Sequence, residues 1–167
     1  RRAHQAALAA VRVVAATCVL VVRDGRQRLN RIAVVGGFGG IGAALIKRLK
    51  EVYREEHEVI ALGTNAVATA QMMKARANRG ASGENAIVRT VATADVILGC
   101  LSIVLANSMM GEVTPKIAAA IASAPARKIL LPLTQEAVEI VGLIPEPLPH
   151  LVDRIVSQKL KEMLDHV

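Results

Sequence analysis

Aromatic side chains are nearly absent from this sequence: one Phe and one Tyr, with no Trp, among 167 residues. The hydrophobic content of 53% must therefore be aliphatic, and a core of Val, Ile, Leu, Ala and Met is expected. The same lack removes the rings on which proteins stack unpaired bases. Cysteine is equally scarce. Cys18 and Cys100 lie far apart without any CxxC spacing. That argues against a disulfide framework or a structural zinc site, and each reads as a lone buried thiol. So few cysteines fit a reducing compartment. No metal site is expected. A membrane-length apolar run is missing as well. Val13–Val22 has ten residues, too short to cross a bilayer as a helix.

What the sequence has in excess is positive charge, a formal net +7. Residues 1–31 hold seven Arg and one Asp, net +6, which leaves net +1 for residues 32–167. The basicity belongs to the N-terminal segment. Without a basic stripe or interleaved aromatics, the remainder is not expected to bind nucleic acid. Arg1 and Arg2 ahead of an apolar run resemble the start of a signal peptide. Arg12 interrupts that stretch, and Arg23, Asp24, Arg26 and Arg28 stand where small cleavage-site residues belong. "AATC" also lacks the leucine of a lipoprotein box. The expectation is that residues 1–30 are an N-terminal extension extraneous to a single domain over 31–167, and that the protein is cytoplasmic, with no membrane partner.

From Asn30 onward, strand-like and helix-like segments alternate. "RIAVV" (31–35) is apolar and β-branched, and it predicts a buried strand. Ile41, Leu45, Leu49 and Val52 then recur at helical spacing. "EVIAL" (58–62) predicts a second strand closed by Gly63. A helix follows over 66–78, with Gly80 as its stop. "NAIVR" (85–89) reads as a weak strand, "DVILGC" (95–100) as a strong one and "SIVLANSMM" (102–110) as a helix. Thr114 and Pro115 fit an N-cap and first helical position, opening a helix to about residue 124. "RKILLPL" (127–133) predicts another strand, and the alternation in "VEIVG" (138–142) predicts an edge strand. Pro145, Pro147 and Pro149 form a connector. A closing helix spans 151–164, with Leu151, Ile155, Leu160 and Leu164 inward. Strands apolar on both faces, alternating with helices, imply a mostly parallel sheet between helical layers, a three-layer Rossmann-like α/β domain.

The glycine cluster between the first strand and first helix carries the strongest chemical signal. Gly37, Gly39 and Gly42 fit G-x-G-x-x-G in the strand–loop–helix context that the motif requires. Such a loop turns tightly, admits a pyrophosphate against the backbone, and lets helix and strand pack closely. The helix start adds free N–H groups and a positive dipole end. Phosphate or nucleotide binding is therefore expected through Gly37, Phe38, Gly39, Gly40, Ile41 and Gly42, with the cofactor left open between NAD(P) and another nucleotide. Gly36, Gly40 and Gly42 also match the G-x-x-x-G-x-G spacing of short-chain dehydrogenases. Tyr53 lacks that class's Tyr-x-x-x-Lys pair, and no G-K-[ST] follows to make a Walker loop. The acid expected after the second strand is missing. Thr64 and Asn65 stand there instead, as candidates to hydrogen-bond a ribose or to tolerate a phosphate.

Ligands of parallel α/β sheets bind beyond the carboxyl ends of the strands. Polar residues following the strands are therefore candidate cleft residues: Glu84, Asn85, Cys100, Ser102, Asn107, Ser108, Glu112 and Thr134. Glu84 and Glu112 read either as a carboxylate pair doing acid/base work or binding a cation, or as helix-start and turn residues. The asparagines read equally as caps and turn formers. Cys100 reads as a nucleophile only if a histidine stands beside it. His57 precedes a strand, on the far side from the expected pocket.

Several of these motifs occur together in order: "RIAVVGGFGGIGAALIKRL", "VIALGTNAVAT", "GENAIV", "ANSMMGEVTP" and "KILLPL…VEIVG". From about Arg31 to the C-terminus, the chain resembles a small bacterial family described as a domain of unknown function. Members often carry Asp and Gln in the glycine loop, where this chain has Gly36 or Gly37 and Phe38. They start near Arg31, which supports setting residues 1–30 apart. The resemblance implies no activity of its own. Three readings remain open: binding of a nucleotide or phosphorylated metabolite, a small enzyme using Glu84, Glu112 or Cys100, and an oligomeric scaffold in which the glycine turn serves packing and the chain forms a homo-oligomer.

Overall fold

In the first strand, β1 (Arg31–Gly36), Ile32, Ala33 and Val34 are completely buried, so neither face of the strand meets water. Only a central parallel strand, covered by helices on both sides, accounts for that. A computed structural model of the chain describes residues 30–37 and 40–165. The N-terminal extension with Cys18 lies outside the described residues, as do Phe38 and Gly39 of the glycine loop.

The elements follow as α1 (Gly40–Tyr53), β2 (Glu58–Gly63), α2 (Ala66–Lys74), β3 (Arg79–Ser82), α3 (Glu84–Val91), β4 (Val96–Cys100), α4 (Pro115–Ser123) and β5 (Arg127–Leu131). The chain then continues through α5 (Leu148–Asp153), a π-helical turn (Arg154–Lys159) and α6 (Leu160–Asp165). The sheet has the order β3-β2-β1-β4-β5, and every pairing is parallel. Its register sets Gly36 of β1 beside Gly63 of β2. Right-handed crossovers place α1 and α2 on one face; the jump from β3 to β4 reverses direction and sends α3 and α4 to the other. The packing agrees. α1 contacts α2 and the C-terminal helical segment, while α3 contacts α4. The three-layer Rossmann-like fold expected from the alternation is the one observed.

Four predicted elements differ. The helix over 66–78 ends at Lys74, and Gly80 is not its stop but part of β3. The short edge strand Arg-Gly-Ala-Ser has almost no apolar signal. A Cβ at Gly80 would stand 2.6 Å from Met73 Sδ and 2.8 Å from its Cγ, so the Met73 side chain of α2 would have to shift. Residues 85–89 are helical, within α3. Ile87 and Val91 are buried one turn apart, a spacing that a five-residue window cannot reveal. Residues 102–110 are not an α-helix. A 3-10 turn covers Leu101–Val104, and left-handed residues follow at Asn107, Met109 and Met110. Residues 138–142 form no strand. Val138, Ile140 and Val141 are exposed, and β5 pairs only with β4. Smaller differences occur at Val52 and Leu164: Val52 is exposed and Leu164 is only partly buried.

The core is aliphatic, as the composition requires. Its largest fully buried side chains are Ile, Leu and Met. Among the described residues, no helix is long and apolar enough to cross a membrane.

Candidate functional site

The carboxyl ends of β1, β2 and β4 meet where Gly37, the β2–α2 turn and the long β4–α4 connection come together. Gly37 directly follows β1 and is buried. Gly42 lies in the first turn of α1, where a Cβ would run into Met72 Sδ and stand 3.0 Å from Met72 Cγ and 3.7 Å from Val34 Cγ1. Glycine at 42 therefore lets α1 lie close to both α2 and β1. Gly40 and Ile41 open α1, Gly40 exposed and Ile41 half-buried.

Asn65 has two jobs. Its Oδ1 accepts from Ala68 N–H at 2.8 Å and caps α2. Its Nδ2 donates to the Gly37 carbonyl at 3.0 Å and to Glu112 Oε1 and Oε2 at 3.1 and 2.9 Å. Thr64 donates its hydroxyl to Glu112 Oε2 through a short hydrogen bond. Glu112 thus reaches over β1 from the β4–α4 connection to the end of β2. A Cβ on Gly37 would stand 2.5 Å from Met109 Sδ, 3.0 Å from Thr64 Oγ1 and 3.2 Å from Glu112 Oε2.

That connection is held in an unusual shape. Asn107, Met109 and Met110 have φ of 64°, 55° and 58°, and Gly111 has 87°. A left-handed conformation costs a side-chain-bearing residue on the order of 1 kcal/mol, so other contacts must hold the loop. Asn107 N–H donates to the Val113 carbonyl at 2.7 Å, and Val113 N–H donates to the Ser108 carbonyl at 3.2 Å. The buried Ser108 donates its hydroxyl to the Ser102 carbonyl. Met109 N–H donates to Glu136 Oε1 at 3.0 Å.

The other candidate residues fall into two further groups. Ser102 is buried and its hydroxyl donates to Thr134 Oγ1 at 3.2 Å, while Thr134 Oγ1 also accepts from Glu136 N–H. Cys100 ends β4 beside them. Burial pushes its thiol up from the ordinary cysteine value, against smaller opposing effects led by Ser102, and so disfavours the reactive thiolate. Glu84 is the first residue of α3 and accepts from the Thr114 hydroxyl at 2.6 Å. Lys116 lies 3.4 Å from its other oxygen. The Thr114 hydrogen bond, followed by Lys116, holds the Glu84 carboxyl below its ordinary value. Thr114 also caps α4, accepting from Ile117 N–H. Asn85 is exposed in the first turn of α3. Thr64, Asn65 and Glu112 are therefore brought together at Gly37, whereas Glu84 is bonded to a different pair of residues.

Two contributors were not visible beforehand. Met109 lay in a predicted helix, and Glu136 lay beside a predicted edge strand. The left-handed turns of the β4–α4 connection bring Met109 near the strand ends, and Glu136 reaches Met109 N–H from the segment that follows β5.

An all-parallel sheet of order β3-β2-β1-β4-β5 with helices on both faces defines a Rossmann-like α/β protein. The chain belongs to the family described as "Domain of unknown function (DUF3842)", which matches residues 31–164. No curated protein matches it.

Proposed function

We propose that this protein binds a nucleotide or another phosphorylated small molecule at Gly37–Gly42, with NAD(P) the first candidate. One observation carries the reading. Gly37 follows β1 at the point where strand order reverses, between β1 and β4, and Gly40 opens the long helix α1. Crevices at that point are where open α/β sheets take ligands, and the helix start offers N–H donors to an anion. The polar groups of Thr64, Asn65 and Glu112 border the same turn. A cytoplasmic location suits such a ligand.

A packing role for the glycines is the second reading, and one observation favours it. Met109 and Glu112 lie directly against Gly37, in space that a ligand would share. Calorimetry and thermal shift against NAD, NADP, ATP, GTP, FMN and sugar phosphates separate the two. Gly39 is the middle glycine of the fingerprint, so Gly39→Val should abolish binding with a modest loss of stability. A wild type that ignores the whole panel, or a Gly39→Val variant that binds equally well, leaves only the packing role.

A further inference from the structure

Rossmann folds that bind dinucleotides place an acid at the end of the second strand, where it accepts the hydroxyls of the ribose. Here β2 ends in Gly63 and is followed by Thr64 and Asn65, none of them an acid. The fold brings a carboxylate to that place from another element. Glu112, in the β4–α4 connection, accepts from the Thr64 hydroxyl and from Asn65 Nδ2, the two side chains that stand where the acid belongs. A Cβ on Gly37 would be 3.2 Å from its Oε2. The carboxylate therefore borders both the first glycine of the fingerprint and the end of β2.

We infer that Glu112 determines the sugar specificity of this site, accepting the hydroxyls of an unmodified ribose and rejecting a 2′-phosphate. The inference rests on the nucleotide reading and narrows it to dinucleotides whose adenosine ribose has a free 2′,3′-diol. Three features support it. An ionised carboxylate has about four acceptor positions, and the hydrogen bonds from Thr64 and Asn65 leave capacity on Oε1. Those same donors fix the carboxylate although the residue is exposed, so a diol meets an oriented acceptor. No cation pairs with Glu112 among the described residues, so its charge stays uncompensated. A phosphate on the 2′-oxygen would meet that charge at close range, a built-in element of rejection.

NAD and NADP differ only in that phosphate, and calorimetry with both on the full chain tests the idea. The wild type should prefer NAD by about tenfold or more, the scale of a like-charge contact near a protein surface. Glu112→Gln, which keeps the shape and removes the charge, should lose most of that preference, and Glu112→Arg should reverse it. A preference is a ratio measured on one protein, so partial unfolding of a variant does not imitate the effect, and a melting curve for each variant checks the fold. Equal binding of NAD and NADP by the wild type overturns the inference and leaves the phosphate-binding reading standing. So does a Gln variant that keeps the full preference, or binding of other panel members but of neither dinucleotide. If nothing in the panel binds, the reading falls and this inference falls with it.

Discussion

Gly42 shows how tightly the residues around the turn are fitted. Its missing side chain is the space that Met72 fills from α2. Gly42→Val should cost about 1–3 kcal/mol, as overpacking of a close contact does, and denaturant unfolding will read it. An unchanged midpoint would show that Met72 moves aside freely. His57 is the other residue with a clear physical consequence. Its Nδ1 is buried without a hydrogen-bond partner, and its ring lies 5.2 Å from that of Tyr53. Burial holds the imidazole below the ordinary histidine value, with Glu56 opposing. The folded state therefore favours the neutral ring. As pH falls below about 6.5 the unfolded chain takes up the proton first, so stability should decline on acidification and level off below the folded value. The ring is only part-buried, so the loss should stay under about 1 kcal/mol. His57→Phe should flatten that part of the stability profile between pH 8 and 5. A variant with the same acid slope as wild type would remove His57 from the explanation.

At the scale of elements, two departures from regular geometry carry specific contacts. The π-helical turn between α5 and α6 interrupts an otherwise α-helical segment, and the Val156 carbonyl within it accepts from the Tyr53 hydroxyl at 2.8 Å. This joins the C-terminal segment to the end of α1. Tyr53→Phe should cost about 0.5–1.5 kcal/mol, the usual net value of one hydrogen bond, measured as a shift in unfolding midpoint. The β4–α4 connection is the second departure. Met110 is 94% exposed and has φ of 58°, so its side chain contributes little while its backbone is strained. Met110→Gly should be neutral or mildly stabilising, against the usual penalty for introducing glycine. A fall beyond about 1 kcal/mol would mean that Met110 makes contacts its exposure does not suggest.

At the scale of the molecule, the described sheet begins at Arg31, and all five strands are paired without any residue before it. Deleting residues 1–29 should therefore leave the melting temperature within a few degrees. A larger drop would place the extension within the packed structure. The same deletion removes most of the excess charge, taking away six Arg and one Asp, net +5 of the total +7, and leaving +2 on residues 30–167. The shortened protein should fail to hold DNA or RNA at physiological salt, and a tight, salt-sensitive complex in a titration would contradict this.

Local pattern was enough for the central part of the fold. Strands β1, β2 and β4 are runs of Val, Ile, Leu and Ala between glycines or turns, and a strand buried on both faces can be made of little else. The Thr114–Pro115 helix start was legible for the same reason, because it expresses a backbone rule within a few residues. Thr64 and Asn65 could be singled out because the strand–helix alternation located the end of β2. Elements whose identity depends on a partner were not legible. β3 has few apolar residues and is a strand because β2 lies beside it. Residues 138–142 alternate like a strand but meet no neighbouring edge. The grouping of Glu112 with Thr64 and Asn65 was decided only in three dimensions. The residues are 47 and 48 positions apart, and the carboxylate arrives through consecutive left-handed turns that no periodicity encodes. The sequence by itself determined which strands are buried and where α4 starts, because those follow from local burial and capping. Tertiary structure alone decided which acid stands at the end of β2, because that depends on a long connection crossing over the sheet.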